Sequence, residues 1–196
     1  MTGAHGPEVV VVGGGIRGLC IAYYLARAGV RVTLVEKGFP GSGASGANAG
    51  LVNVSGKTPA HYTTFSLLSG DMYPEFVQSL EADVDYQRDG FLRVAEGEGE
   101  VPAVMRYAEE QNRVPGVTVE LMDATRARTL EPALSPRLPL IGFCPQDGNV
   151  DPLKLVRAVT RAARRHGADI RPHQEVTAVR VHGGRVAGVV TVTGEI

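Results

Sequence analysis

Residues 8–12 read EVVVV, an apolar run with no polar alternation. Such a run predicts a short parallel strand buried on both faces. After GGGIRG, the residues Ile16, Leu19, Tyr23 and Ala26 recur at helical spacing, and Gly29 stands where a helix stops. Residues 30–35, VRVTLV, form a second apolar run that ends at Glu36. Strand, glycine turn, helix and strand make a βαβ unit of about 30 residues.

Beyond Glu36 the pattern lapses. Residues 38–56 are rich in Gly, Ser, Ala and Asn and show no period, which predicts a long ordered loop. From Pro59 to Ala82 the period is helical, with Phe65, Leu68, Met72, Phe76 and Leu80 as the expected inner face and Pro74 as a kink or break. Asp89-Gly90 predicts a turn into the strand FLRVA. Residues 100–113 read as an amphipathic helix through Val104, Tyr107 and Ala108. VTVELM reads as a strand, Asp123 as the cap of the short helix ATRARTL, and EPALSPRLP as a connector. Asp151-Pro152 opens a clean helix. Its expected inner face is Leu153, Val156, Val159 and Ala163. Lys154, Arg157, Arg161 and Arg164 form a basic stripe read as a solvated face rather than an anion site. ADIRP is a short strand, and EVTAVRV and RVAGVVTV make a hairpin around Gly183-Gly184.

Composition sharpens this in one respect. Glycine supplies 25 of 196 residues, and ten of those lie between Gly13 and Gly50. Clustering of this kind suits backbone that approaches a ligand closely. Net charge is −1, so the basic excess of a nucleic-acid protein is missing. With 43% hydrophobic and 21% charged residues the chain is expected to fold rather than stay disordered. No apolar run reaches the roughly 20 residues of a membrane helix. The opening MTGAHGPE does not read as a signal peptide. Cys20 and Cys144 form neither a C-x-x-C nor a zinc spacing, which fits a reducing, cytoplasmic setting.

Gly13, Gly15 and Gly18 form G-x-G-x-x-G where such chemistry requires it, after a strand and at a helix start. Gly13 permits the tight turn, Gly15 lets a pyrophosphate near the backbone, and Gly18 lets helix pack on strand. Helix N–H groups and the positive end of the dipole then face the phosphates. Glu36, at the end of the second strand, is placed to accept from ribose hydroxyls and to repel a 2′-phosphate, which disfavours NADP. The plain alternative is glycines kept only for packing. NAD and FAD both carry ADP, so the motif alone does not separate them. The next segment does. A simple NAD-binding fold continues into a helix and a third strand, whereas Gly41–Gly50 reads GSGASGANAG. Ser42, Ser45 and Asn48 offer hydrogen bonds to phosphate or ribitol oxygens. The alternative is a flexible surface loop, against which stands the apolar continuation Leu51-Val52-Asn53-Val54.

On VVVVGGGIRGLCIAYYLARAGVRVTLVEK, GSGASGANAGLV, YQRDGFLRV, LEPALSP, GNVDPLKLVRAV and GADIRPHQEVTAV, in that order, the sequence resembles the D-amino-acid-oxidase-like FAD oxidoreductases. That group includes glycine oxidase, sarcosine oxidase and the D-amino-acid dehydrogenases. The resemblance implies an α/β fold: a Rossmann-type, ββα-rich FAD-binding domain with part of an inserted α+β substrate domain. The implied division is 1–84 with 145–196 for FAD binding and 85–144 for the partial substrate domain. It places Ile16 and Arg17 at the pyrophosphate turn and Glu36 and Lys37 at the adenosine ribose. Ala44 and Ser45 fall near the pyrophosphate, and Ala49, Gly50 and Leu51 along the flavin ring. Val176 would meet the adenine through its backbone, or is an ordinary hairpin valine.

The implied chemistry is oxidation of the C–N bond of a small amine or amino acid, by hydride transfer to flavin and hydrolysis of the imine. Family chains are roughly twice as long, and their substrate-carboxylate arginine lies in the part this sequence lacks. No catalytic residue is therefore assigned, and a C-terminal half or second chain is expected to complete the fold. The alternative is a non-catalytic dinucleotide-binding subunit; an NAD-dependent dehydrogenase half is a third reading. His61 and Tyr62 read as surface residues at a helix start, and Cys20 as a small core residue rather than a flavin attachment point. His166, His173 and His182 lack metal-ligand spacing.

Overall fold

The computed structural model describes residues 8–196; the segment 1–7, where a signal peptide was sought, lies outside the described residues. In chain order the strands are β1 (Val9–Val12), β2 (Val32–Val35), β3 (Leu51–Val52), β4 (Phe91–Ala95), β5 (Glu120–Met122), β6 (Leu140–Cys144), β7 (Gly148–Asn149), β8 (Asp169–Arg171), β9 (Val176–His182), β10 (Arg185–Thr191) and β11 (Gly194–Glu195). The helices are α1 (Ile16–Arg27), α2 (Ala60–Ser79), α3 (Val101–Asn112), α4 (Ala124–Leu130) and α5 (Pro152–Arg165). Two compact units result: Met1–Ala49 with Val77–Val84 and Asp151–Ile196, and Gly50–Phe76 with Asp85–Val150.

The first unit holds a parallel sheet of order β1-β2-β8, in register through Val11, Leu34 and Ile170. All four residues of β2, the central strand, are buried. β1 departs from the expectation of burial on both faces: only Val11 is buried and Val12 is 58% exposed. It pairs with β2 on one side only among the described residues, so the apolar run sits at the sheet edge. α1 packs against α5, burying Leu19, Tyr23 and Ala26 on one helix and Val156, Val159 and Ala163 on the other. Leu153, expected to face inward, is 47% exposed; it occupies the first turn of α5, ahead of the packed stretch. Asp151 caps α5 as expected, accepting from the N–H groups of Leu153 and Lys154 at 2.8 Å. The hairpin β9–β10 turns through Gly183 and Gly184, both at positive φ, as a two-residue turn of primed type requires.

The second unit pairs β4-β6-β5 antiparallel, with β3 against β7. β6 was not anticipated; it follows the proline-rich connector directly. Asp123 caps α4 by accepting from Arg126 N–H at 2.8 Å. α3 buries Val104, Tyr107, Ala108 and Gln111. α2 overturns most of its expected face, although Leu80, just past its end, is buried as expected and Phe76 is half-buried. Phe65, Leu68 and Met72 are 66%, 60% and 58% exposed, and the buried positions are Thr63 and Gly70. The cause is close approach: a Cβ on Gly70 would lie 2.9 Å from Val54 Cγ2. Small residues therefore face the neighbour, and the large apolar ones point away. Pro74 sits inside α2 without dividing it.

Candidate functional site

The G-x-G-x-x-G turn is built by backbone hydrogen bonds that tie three segments of the first unit together. Gly13 adopts φ +106°, which side chains disfavour, and its N–H donates to Val35 C=O at 2.8 Å. Gly14 N–H donates to Glu36 Oε2 at 2.7 Å, and Gly14 C=O accepts from Gly41 N–H at 2.9 Å. Ile16 N–H donates to Ser45 Oγ at 2.9 Å. A Cβ on Gly18 would collide with Gly13 C=O, so this glycine sets the helix–strand distance, as its place in the motif requires.

Glu36 is anchored from several sides. Its Oε1 accepts from Gly38 N–H at 2.7 Å, and its main chain bonds to Arg171 and Gln174. Each carboxylate oxygen takes one backbone N–H and keeps a lone pair for a further donor such as a ribose hydroxyl. Between these elements lies a cleft of about 380 Å³ lined by Gly15, Glu36, Lys37, Ser42, Ala44 and Ser45, with Gly41 and Gly43. No acidic residue occupies the first turn of α1, so its positive end is left for an anionic ligand. The cradle fits the ADP portion of a dinucleotide on its own observations: a Cβ on Gly15 would reach within 3.1 Å of Ser45 Oγ, and a carboxylate stands opposite the helix start.

The other sequence-selected residues fall around this cleft or apart from it. Arg17 is exposed on α1. Asn48 donates its carboxamide N–H to Ser45 C=O at 2.8 Å and to Ala44 C=O at 3.3 Å, bracing the loop. Ala49 is exposed. Val176 starts β9, half-buried, paired with Thr191. Gly50 and Leu51 belong to the second unit, where Gly50 C=O accepts from Val150 N–H at 2.8 Å and Leu51 pairs with Asn149. His61 is exposed and Tyr62 50% exposed, and His166 packs edge-on against Tyr23. Burial pushes the Cys20 thiol up to about 11, which holds it protonated. Sequence reasoning missed Gly14, Gly38 and Gly41 as braces, although the glycine clustering marked the region.

It also missed a buried network in the second unit. Asp147 is fully buried; its Oδ1 accepts from Val54 N–H at 2.7 Å and Ser55 N–H at 2.9 Å, and its Oδ2 from Ser55 Oγ–H at 2.5 Å. Tyr107 O–H donates to Ser55 Oγ at 2.6 Å, and the Arg93 guanidinium lies 4.7 Å from the Tyr107 ring centroid. Burial raises the Tyr107 phenol against the lowering effect of the Ser55 hydrogen bond. The network pins the segment after β3 to the β6–β7 turn. Among the described residues no group of three or more His, Cys, Asp or Glu is placed to hold a metal, and no helix is long and apolar enough to cross a membrane.

The model of the FAD dependent oxidoreductase (DAO) family matches residues 8–196. The chain belongs to this family. Its members bind FAD, and the mixed α/β fold with a Rossmann-like parallel sheet is theirs. This DAO-family chain is 36% identical over 185 residues to the anaerobic glycerol-3-phosphate dehydrogenase subunit A1 of Haloferax volcanii, covering 93% of the chain and 30% of that protein. It is 31% identical over 198 residues to the sarcosine oxidase subunit beta of Rhodobacter capsulatus, covering 96% and 47%. Glycine oxidase from Geobacillus kaustophilus superposes with a TM-score of 0.90 at 28% identity, over 98% of this chain and 53% of that one. The DAO-family chain thus spans about a third to a half of the proteins it resembles.

Proposed function

We propose that this FAD-dependent oxidoreductase chain binds FAD at the Gly15–Glu36–Ser45 cleft and serves an enzyme that oxidises the C–N bond of a small amine or amino acid. The observation that carries the binding half is the convergence of the helix start, the Glu36 carboxylate and the Gly41–Ser45 loop on one cavity. In this reading the N–H groups at the start of α1 and the Ser45 hydroxyl hold the pyrophosphate, with Arg17 beside the turn. Glu36 takes the ribose hydroxyls, flanked by Lys37. Ser42 and Asn48 order the loop toward the ribitol, and Ala44 allows close approach. Ala49, Gly50 and Leu51 are assigned to the flavin ring and Val176 to the adenine side. When bound, the flavin supplies hydride acceptance from the carbon that bears the amine. The division into a FAD-binding part, 1–84 with 145–196, and a partial substrate domain, 85–144, belongs to the same proposal.

The C–N specificity is supported by the relatives named for sarcosine and glycine. A second reading, oxidation of a carbinol carbon, is favoured by the relative named for glycerol 3-phosphate. The assignment of substrate contacts to a C-terminal half or a partner chain is supported by the share of each relative that this chain spans. The test is acceptor reduction by the full-length protein, or by the chain with its complement, in the presence of sarcosine, glycine, D-amino acids or glycerol 3-phosphate. Turnover with the amines alone supports the C–N reading; turnover with glycerol 3-phosphate alone overturns it.

A further inference from the structure

A second cavity of the first unit, about 580 Å³, lies along α5 rather than at the glycine turn. Its walls are Lys154, Arg157, Arg161 and Arg164 on the helix, with Phe39 and Asp83 among the residues opposite. At 3.6 residues per turn the four cations fall within an arc of about 80°. A solvated helix face usually mixes signs at i,i+4 spacing, yet α5 carries five basic residues, Lys154, Arg157, Arg161, Arg164 and Arg165, and no acid. Arg164 donates to Ile170 C=O at 3.3 Å. Arg157 and Arg161, one turn apart and both exposed, have no hydrogen-bond or ion-pair partner among the described residues. The stripe lines a cleft, and Phe39, 60% exposed, lines it too.

Unpaired guanidiniums one turn apart suit bidentate recognition of phosphate oxygens. The cleft is open to solvent, and its volume of about 580 Å³ falls in the range of small-molecule sites. We propose that this cleft binds a di- or triphosphate group, held by Arg157 and Arg161 with Lys154 and Arg164 at its rim. The site is separate from the dinucleotide cleft but joined to it through one loop. Phe39 and Pro40 line the α5 cavity, and the residues from Gly41 to Ser45 line the other. Gly41 fixes that junction, since a Cβ there would lie 2.8 Å from Val156 Cγ1 on α5.

The test is calorimetric titration with inorganic pyrophosphate and, separately, ADP, with FAD in excess so that the dinucleotide cleft is filled. Saturable binding of pyrophosphate is expected, weakened about tenfold or more in Arg157→Glu/Arg161→Glu with unchanged melting and FAD retention. Arg157→Gln/Arg161→Gln gives the same direction should charge reversal disturb folding. Equal affinity for both probes assigns the site to phosphate alone. Tighter ADP binding, lost in Phe39→Ala, assigns it to a nucleotide. Either result supports the proposal. No saturable binding of either probe overturns it, as does binding that neither double variant weakens, which puts the anion at another surface. Binding of polyglutamate in place of both small anions also overturns it, in favour of an acidic polypeptide.

Discussion

Ser45 Oγ accepts the Ile16 N–H at 2.9 Å, across 29 residues of sequence. The loop hydroxyl is therefore seated on the first turn of α1, where a pyrophosphate oxygen would also bond. Ser45→Ala removes this acceptor and its contribution to the pyrophosphate cradle. We expect FAD affinity to fall about five- to tenfold, since one hydrogen bond contributes roughly 1 kcal/mol, with little change in melting. Titration of flavin fluorescence measures the first and thermal unfolding the second. Unchanged affinity would remove Ser45 from the site.

Gly18→Ala places a methyl against the Gly13 carbonyl, which is backbone and cannot swing aside. Overpacking of this kind costs about 1–3 kcal/mol. Gly97→Ala, where a Cβ meets nothing within 4 Å, should stay within about 0.5 kcal/mol of the parent. Urea unfolding of the two variants side by side checks the contrast.

Asp147→Ala leaves two backbone N–H groups and the Ser55 hydroxyl without their buried acceptor. Orphaned donors cost about 1–3 kcal/mol each, so we expect the second unit to lose more than about 3 kcal/mol. Asp147→Asn keeps the shape and should lose less. Equal, small losses in a denaturant titration would show that the network is not what holds the segment after β3.

How much of this was open to sequence reading follows the distance over which each feature is decided. Gly13, Gly15, Gly18 and Glu36 were legible because strand, turn and helix are local and their chemistry fixes their order. The Asp151 cap and the Gly183-Gly184 hairpin were legible for the same reason. The inner face of α2 was not, because the approach of Gly70 to Val54 is tertiary, and periodicity selects large side chains instead of small ones. β1 reads as a doubly buried strand, yet sheet order puts it at an edge. Asp147 looks like any loop acid in PQDGN; its partners lie 92 and 93 residues away.

The Cys20 thiol, raised from 9.0 to about 11 by burial, makes stability depend on alkaline pH. Folded and unfolded thiols are both protonated below pH 9, so the contribution is fully present there. Between about 9 and 11 the unfolded thiol ionises first, and stability is lost as pH rises. Tyr107 and Cys144 are raised too, so the informative comparison is parent against Cys20→Ala. The variant should lose less stability between pH 8 and pH 10 in urea titrations. An identical slope would contradict burial of the thiol.

Binding of FAD at the Gly15–Glu36–Ser45 cleft is tested by the visible spectrum of the purified protein, with the released ligand identified after denaturation. Flavin absorbance and recovered FAD are expected, with Ser45→Ala retaining less. Recovery of ADP or NAD without flavin absorbance would rule out FAD at this cleft.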